Sequence, residues 1–320
     1  MNDDGHCLSD KMAKYIYHSR ADNTTKKYYN SFKHFNDFCQ LKGFSSKPAN
    51  SIHVAMYITE LLDKKVSYSV ISAAYYSIKW MHSVNDFQDP TENAFVKNLV
   101  ESAKRLRSVP VKKKDTVDTE MLKQLCVFYK ESTDLGSVRD LTMILLGYAG
   151  FLRFSEISEL RCNDIVFHED HVVLKIKKSK TDIYRQGKEV LIAKGSTCAC
   201  PYEMLKKYLN LSKQSLASEQ YLFKPINKSK NVSKLLSSNK KLSYTRAREC
   251  IIKKLKLVAP DLDLGIHSLR ASGASMAANS EGVNERCLKR HGRWKTDVAK
   301  DGYIKDTLEK RLAISKTLDL

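Results

Sequence analysis

Through most of the first hundred residues, apolar side chains recur every three or four positions, the interval of a helix with one buried face. Tyr28, Phe32, Phe35 and Cys39 mark one such helix, with Thr24 and Thr25 placed to cap it. Val54, Tyr57, Ile58, Leu61 and Leu62 mark a second, and Val70, Ala74, Ile78 and Met81 a third. Phe95, Leu99 and Ala103 mark a fourth, entered after Pro90 and Thr91. A short leading helix is expected around Met12, Tyr15 and Ile16. Four or five helices of this length predict a small bundle.

The pattern lapses over residues 104–118 (KRLRSVPVKKKDTVD), which are basic, carry Pro110 and have no apolar period. That composition reads as a linker crossing phosphates. It divides the chain into a helical domain (1–108), a basic linker (109–118) and a second domain (119–320). Asp118 caps a helix over about 119–131, and a second apolar helix is expected to stop at Gly147 and Gly150. Asp164–Phe167, His171–Lys178 and Glu189–Ala193 alternate and are β-branched, which predicts three antiparallel strands. Pro201–Leu211 and Ser243–Leu257 read as helices, and the lysine-rich stretch 212–242 between them as a loop. A last helix, Thr307–Thr317, has Leu308, Leu312 and Ile314 spaced for docking, either on its own domain or on another copy. The expected class is mainly α with a small antiparallel β-sheet, the second domain being α+β.

Composition adds a partner. The chain has 320 residues, 42% of them apolar, with 55 Lys and Arg against 36 Asp and Glu, a net charge of +19. Such an excess points to a polyanion, and nucleic acid is the commonest one. No run of eighteen apolar residues occurs, and the start is acidic, so neither a membrane span nor a secretory signal is expected. The eight cysteines are scattered, the pattern of reduced thiols in an intracellular protein. Cys198-x-Cys200 lacks a second ligand pair at finger spacing, so no metal is predicted.

The chemistry concentrates in residues 267–303, HSLRASGASMAANSEGVNERCLKRHGRWKTDVAKDGY. His267 and Arg270 lie one helical turn apart and are expected to face one object. Trp294 follows, and Tyr303 stands nine residues beyond it. Arg supplies a rigid fork of donors suited to phosphate, the indole a donor that does not ionise, and Tyr a hydroxyl. Donors converging on an anion beside a hydroxyl suggest phosphoryl transfer with Tyr303 as nucleophile. His291, twelve residues before Tyr303, reads as a helix-terminus or phosphate contact.

This arrangement resembles the signature of the tyrosine recombinase (phage integrase) superfamily: His-x-x-Arg, then His or Trp, then Tyr nine residues on. The tail around Tyr303, K-x-D-x-x-K-D-G-Y, looks most like recombinases of eukaryotic mobile elements. The resemblance extends upstream to Arg153 and Glu156, at a glycine-broken junction, which match the family's Arg-x-x-acidic motif. It also implies a catalytic lysine on the hairpin, for which Lys180 is the best match and Lys177 and Lys178 compete. The implied roles place Arg153 and Arg270 on the non-bridging oxygens of a scissile phosphate, with His267 and the Trp294 N–H as further donors. Glu156 would orient a basic neighbour, Lys180 would protonate the 5′-oxygen, and Tyr303 would form a 3′-phosphotyrosine without metal or ATP. The first domain corresponds to the family's core-binding (SAM-like) bundle. The expected DNA contacts are Lys26, Lys27, Lys79, Lys104, Arg105, Arg107, Lys178, Arg246, Arg248, His291 and Arg293.

The activity implied is site-specific cutting and rejoining of double-stranded DNA for a mobile element, by a homo-oligomer such as a tetramer, inside the cell and in the nucleus. Two other readings share these residues: a domesticated DNA-binding protein that does not cut, and a type IB topoisomerase-like enzyme acting as a monomer.

Overall fold

A computed structural model describes the chain except residues 1–7, 9, 10, 13, 14, 17, 18, 111, 178, 180–186, 230, 231, 319 and 320. It separates into two compact units, Met1–Lys112 and Lys113–Leu320.

The first unit is built from α1 (Asp22–Lys42), α2 (Ser51–Asp63), α3 (Tyr68–Val84) and α4 (Ala94–Arg107). α1 packs on α3 and α2 on α4, around Phe32, Phe35, Phe38, Ile58, Ile71 and Ile78. The helix starts are set by local chemistry: Asn50 and Asn93 accept the N–H groups of Ile52 and Phe95 at 2.8 Å each. Gly43 closes α1 in the left-handed region at φ 70°.

Two local expectations need correction. Thr24 and Thr25 do not cap α1; Ala21 stands at its N-cap, and Thr25 is buried inside the first turns. Val70 and Phe95 are exposed, at 48% and 62%, because Ile71 and Val96 one position later take the buried stripe. A period of 3.6 read over two or three turns leaves that phase slip open. The expected leading helix is seen at the described residues among 8–16, which are helical and exposed.

The second unit is organised on α6 (Leu135–Ala149), which is buried along most of its length. Around it lie α5 (Thr119–Phe128), α7 (Phe154–Glu159), α8 (Pro201–Ser212), α9 (Tyr244–Leu255) and α10 (Ile266–Asn279). β1 (Ile165–Phe167), β2 (His171–Ile176) and β3 (Lys188–Ala193) form the expected antiparallel sheet, with Leu174 opposite both Ile165 and Val190. Residues 212–242 are not simply a loop. β4 (Ile226–Ser229) and β5 (Val232–Leu235) form a second hairpin, and Leu222 and Phe223 before it are fully buried. A few apolar residues anchor it, and Lys228 and Lys234 on its two strands are exposed.

Gly147 is not a helix stop either. It lies inside α6, where Leu269 and Ile157 close over it and a methyl group would meet Leu269 at 3.4 Å. Gly273 of α10 is tighter still: a Cβ there would stand 2.1 Å from the Tyr148 carbonyl oxygen and 2.9 Å from the Phe151 ring. That closeness seats α10 on the end of α6. Gly273→Ala should therefore destabilise this unit by about 1–3 kcal/mol or more, read in a Trp80→Phe background as a lower urea midpoint for the transition that Trp294 fluorescence reports. An unchanged midpoint would show that the contact has room to relax.

After α10 come α11 (Glu285–His291), α12 (Asp297–Asp301) and α13 (Leu308–Lys316). α13 touches its own unit through polar groups, Lys310 donating to the Ala278 carbonyl at 2.6 Å, but its apolar residues stay uncovered: Leu308, Leu312 and Ile314 remain 70%, 42% and 73% exposed.

Candidate active site

The site begins where α6 ends. The chain turns through Gly150 and Phe151, the latter at φ 46°, and presents Arg153 as the N-cap of α7. Three residues on, Glu156 reaches back. Its Oε2 accepts the Arg153 backbone N–H at 2.9 Å and its Oε1 accepts Arg153 Nη1 at 2.8 Å. The same Oε2 accepts Arg293 Nη2 at 2.9 Å.

Arg270 enters from α10 and is fully buried. Its Nη1 donates to the Phe151 carbonyl and its Nη2 to that of Gly292. Of the five N–H groups of a guanidinium these contacts use two, and among the described residues Nε has no partner. The guanidinium carbon lies 4.8 Å from the Trp294 ring centroid and 4.9 Å from that of Tyr303. The Trp294 and Tyr303 rings are 5.8 Å apart, Trp294 is buried, and among the described residues its Nε1 has no partner. Gly292 permits this because a Cβ there would fall 1.9 Å from the Trp294 ring.

Arg153, Glu156, Arg270, Trp294 and Tyr303 are thus brought together across 150 positions of sequence. His267 lies one turn earlier on α10 and is exposed, so it does not share the enclosed position of Arg270. Lys178 and Lys180 fall outside the described residues. Lys177, the remaining hairpin candidate, is held by the buried Asp164 at 2.5 Å.

Of two expected phosphate contacts, Arg293 is corrected, and His291 takes the helix-terminus alternative as the last residue of α11. Arg293, at φ 56°, is buried, and its guanidinium is occupied by the carbonyls of Gly150, Phe151 and His291 and by Glu156. It staples the α6–α7 turn to the end of α11. His291 donates from Nε2 to the Ala149 carbonyl at 2.8 Å and meets the Phe151 ring edge-on at 4.6 Å. It therefore belongs to the same staple. Among the other expected contacts, Lys26, Lys27, Lys104 and Arg248 are exposed. Lys79 is paired with Asp89 and Glu92, Arg105 with Glu101 and Arg246 with Glu249. Arg107 turns onto the Leu62 carbonyl of its own bundle at 3.1 Å. Those four charges are partly spent inside the protein.

Residues that spacing did not single out hold Tyr303. Lys300 is buried and ion-paired with Glu285 of α11, with Asp301 at 3.6 Å and Asp297 at 3.8 Å. Ser275 of α10 donates to the Tyr303 carbonyl at 3.3 Å and accepts the Lys305 N–H at 2.9 Å. The K-x-D-x-x-K-D-G-Y string contains Lys300, but only the fold reveals the partner on α11.

The electrostatics are lopsided. Burial pushes the Glu156 carboxyl up, yet Arg293, the Arg153 amide and the guanidiniums of Arg153 and Arg270 outweigh it and hold the group below the usual carboxylate range. Burial, then Arg153 and Arg293, push the Arg270 pKa down. Three guanidiniums surround one carboxylate, so the site carries an unbalanced positive charge in a place poor in water.

This electrostatics predicts acid sensitivity in two stages. Burial, with help from Arg293 and Arg270, holds the His291 pKa below its ordinary value. The unfolded chain therefore takes up the proton first, and stability falls as pH drops below about 6.5, by at most about 1.4 kcal/mol per pH unit. Glu156 has the opposite chemistry but the same sign. Its lowered pKa contributes stability that is present above the unfolded carboxylate value near ~4.3 and is lost as pH falls further. Urea midpoints measured from pH 7.5 to 4 should show the first stage, and His291→Gln should remove it. An identical slope in that variant would refute the assignment.

Residues 115–307, more than half of the chain, match the model of the Phage integrase family. The chain belongs to the phage integrase family. It is 26% identical over 303 residues to an integrase/recombinase xerD homolog of Selenomonas ruminantium, covering 93% of this chain and 85% of that protein. The fold is similar to that of XerH site-specific recombinase bound to palindromic difH substrate, at TM-score 0.62 and 13% identity, covering 93% of this chain and 78% of that one. It is also similar to a lambda integrase dimer bound to a COC′ core site, at TM-score 0.50 and 15% identity, covering 94% and 77%. The tyrosine-recombinase fold is therefore shared with proteins seen on DNA, and the integrase family is one of DNA breaking and rejoining.

Proposed function

We propose that this integrase-family chain is an active site-specific recombinase that cuts and rejoins duplex DNA through a 3′-phosphotyrosine, for a mobile element of a eukaryotic nucleus. The observation that carries the reading is the ring of Arg153, Arg270 and Arg293 around the single carboxylate Glu156, with the Tyr303 ring 4.9 Å from Arg270. A phosphodiester carries one negative charge, and its pentacoordinate transition state carries more. A fixed cationic excess binds the second better than the first and so lowers the barrier.

In this mechanism the free N–H groups of Arg153 and Arg270 and the Trp294 indole N–H contact the non-bridging oxygens. Arg293 supplies charge from behind, through Glu156. Tyr303 attacks phosphorus in line, its proton passing to a base for which His267 is the candidate, and Lys180 protonates the leaving 5′-oxygen. The phosphotyrosine conserves the bond, and a 5′-hydroxyl from another strand reverses the step without ATP or metal. Oligomer formation, up to a tetramer on DNA, is supported by α13, whose apolar residues lie uncovered.

The test is a nicked suicide duplex bearing the terminal repeats of the element that encodes the chain. A recombinase yields a covalent adduct and, with paired sites, recombinant strands. Relaxation of any supercoiled plasmid without a site requirement would replace this reading with a topoisomerase. A mobility shift with no adduct would replace it with a DNA-binding protein.

A further inference from the structure

Next to the catalytic cluster lies a cavity of about 420 Å³. At about 30 Å³ per water molecule, it has room for more than one phosphate. Its wall is basic. Lys188 comes from the start of β3, and Arg286, Lys289 and Arg290 come from α11, against one carboxylate among the described residues, Glu189. Trp294 lines the same cavity while facing Arg270 and Tyr303. Lys289 is paired with Asp297 at 3.0 Å, and the buried Arg293 edge is committed to Glu156.

Arg286 and Arg290 differ. They stand four residues apart on α11, so they share one helix face, and both are exposed. Among the described residues neither takes part in an ion pair. Like charges at that spacing repel unless an anion lies between them, and two guanidinium forks match the oxygens of a phosphate.

We propose that this cavity is a second phosphate site. It holds a backbone phosphate of the DNA strand adjacent to the scissile one, with Arg286 and Arg290 as its forks and Lys188 beside them. The proposal rests on the strand-transfer reading and deepens it. Trp294 separates the two sites, so a strand gripped on the α11 side is held against sliding while Tyr303 attacks on the other. Arg286 and Arg290 are positioning residues in this scheme and touch no reacting atom.

Two tryptophans occur in the chain, Trp80 and Trp294. In full-length Trp80→Phe protein, emission therefore reports Trp294 alone. Titration with inorganic pyrophosphate should give a saturable change, which a short random-sequence duplex competes away. In Arg286→Gln/Arg290→Gln the pyrophosphate affinity should fall about ten-fold or more, since charge-assisted hydrogen bonds contribute about 1.5–3 kcal/mol each. The melting temperature should not change. Arg286→Lys/Arg290→Lys should regain only part, because charge returns without the fork. Should the double Gln variant melt early, Arg290→Gln alone carries the comparison.

Equal affinity in wild type and Gln variants, or no response to pyrophosphate, would overturn the site. Pyrophosphate binding that duplex does not displace would make it a pocket for free polyanions and remove the DNA assignment. The adduct assay is read separately. An adduct without the Trp294 response discards only this site, whereas the response without an adduct discards strand transfer and leaves a site that DNA still occupies.

Discussion

Tyr303→Phe is expected to bind duplex DNA with unchanged affinity and to form no covalent adduct. The substitution removes one oxygen and keeps the ring that packs 5.8 Å from Trp294 and 4.9 Å from the Arg270 guanidinium. Phenylalanine preserves both the aromatic contact and most of the cation–π attraction. The folded site therefore stays in place while the nucleophile is gone. Affinity, set by phosphate contacts, should fall with salt along the same log–log line in both proteins, with a slope near −0.9 for each neutralised phosphate. Denaturing gels of labelled suicide duplex provide the measurement. An adduct that persists in the Phe variant would move the nucleophile elsewhere and dissolve the proposed mechanism.

Glu156→Gln should be the most damaging single change to the fold of the second unit. Its carboxylate is almost completely buried and is the common partner of Arg153 and Arg293, with Arg270 close enough to stabilise its charge. Glutamine fits the space but leaves three guanidiniums together with no counter-charge, and its amide N–H₂ has nothing to donate to among them. Breaking a buried ion pair from one side costs about 3–5 kcal/mol. The loss should appear in the urea midpoint followed through Trp294 in a Trp80→Phe background, together with disappearance of the low-pH stage of acid unfolding. A change below about 1 kcal/mol, the scale of an exposed pair, would mean that water reaches the cluster. In that case the argument for transition-state stabilisation would weaken with it.

Local order was largely legible in advance. Helices α1 to α6 and α8 to α10, the three-stranded sheet, and the spacing of Arg153, Glu156, His267, Arg270, Trp294 and Tyr303 all follow from periodicity or motif, because both are recorded within a few residues. At Val70 and Phe95, the first position read in each helix, the buried residue is the next one along, while Ala74, Ile78, Met81 and Ala103 are buried where the period put them. The β4–β5 hairpin was missed because Lys228 and Lys234 are exposed, and exposed lysines resemble a loop. Gly147 reads as a terminator until Leu269, more than a hundred residues later, is seen to need the space.

The chemistry of this protein, a tyrosine preceded by ordered cationic donors on a basic chain, was determined by the sequence alone, since residue type and order carry it. Only the tertiary structure decided which of those cations face an anion and which hold the protein together. Arg293 reads as a DNA contact and His291 as a helix-terminus or DNA contact, yet their partners are Glu156 and the carbonyls at the end of α6, some 140 positions away. A buried polar group must be satisfied wherever the fold places its partner, and no sequence interval encodes that place.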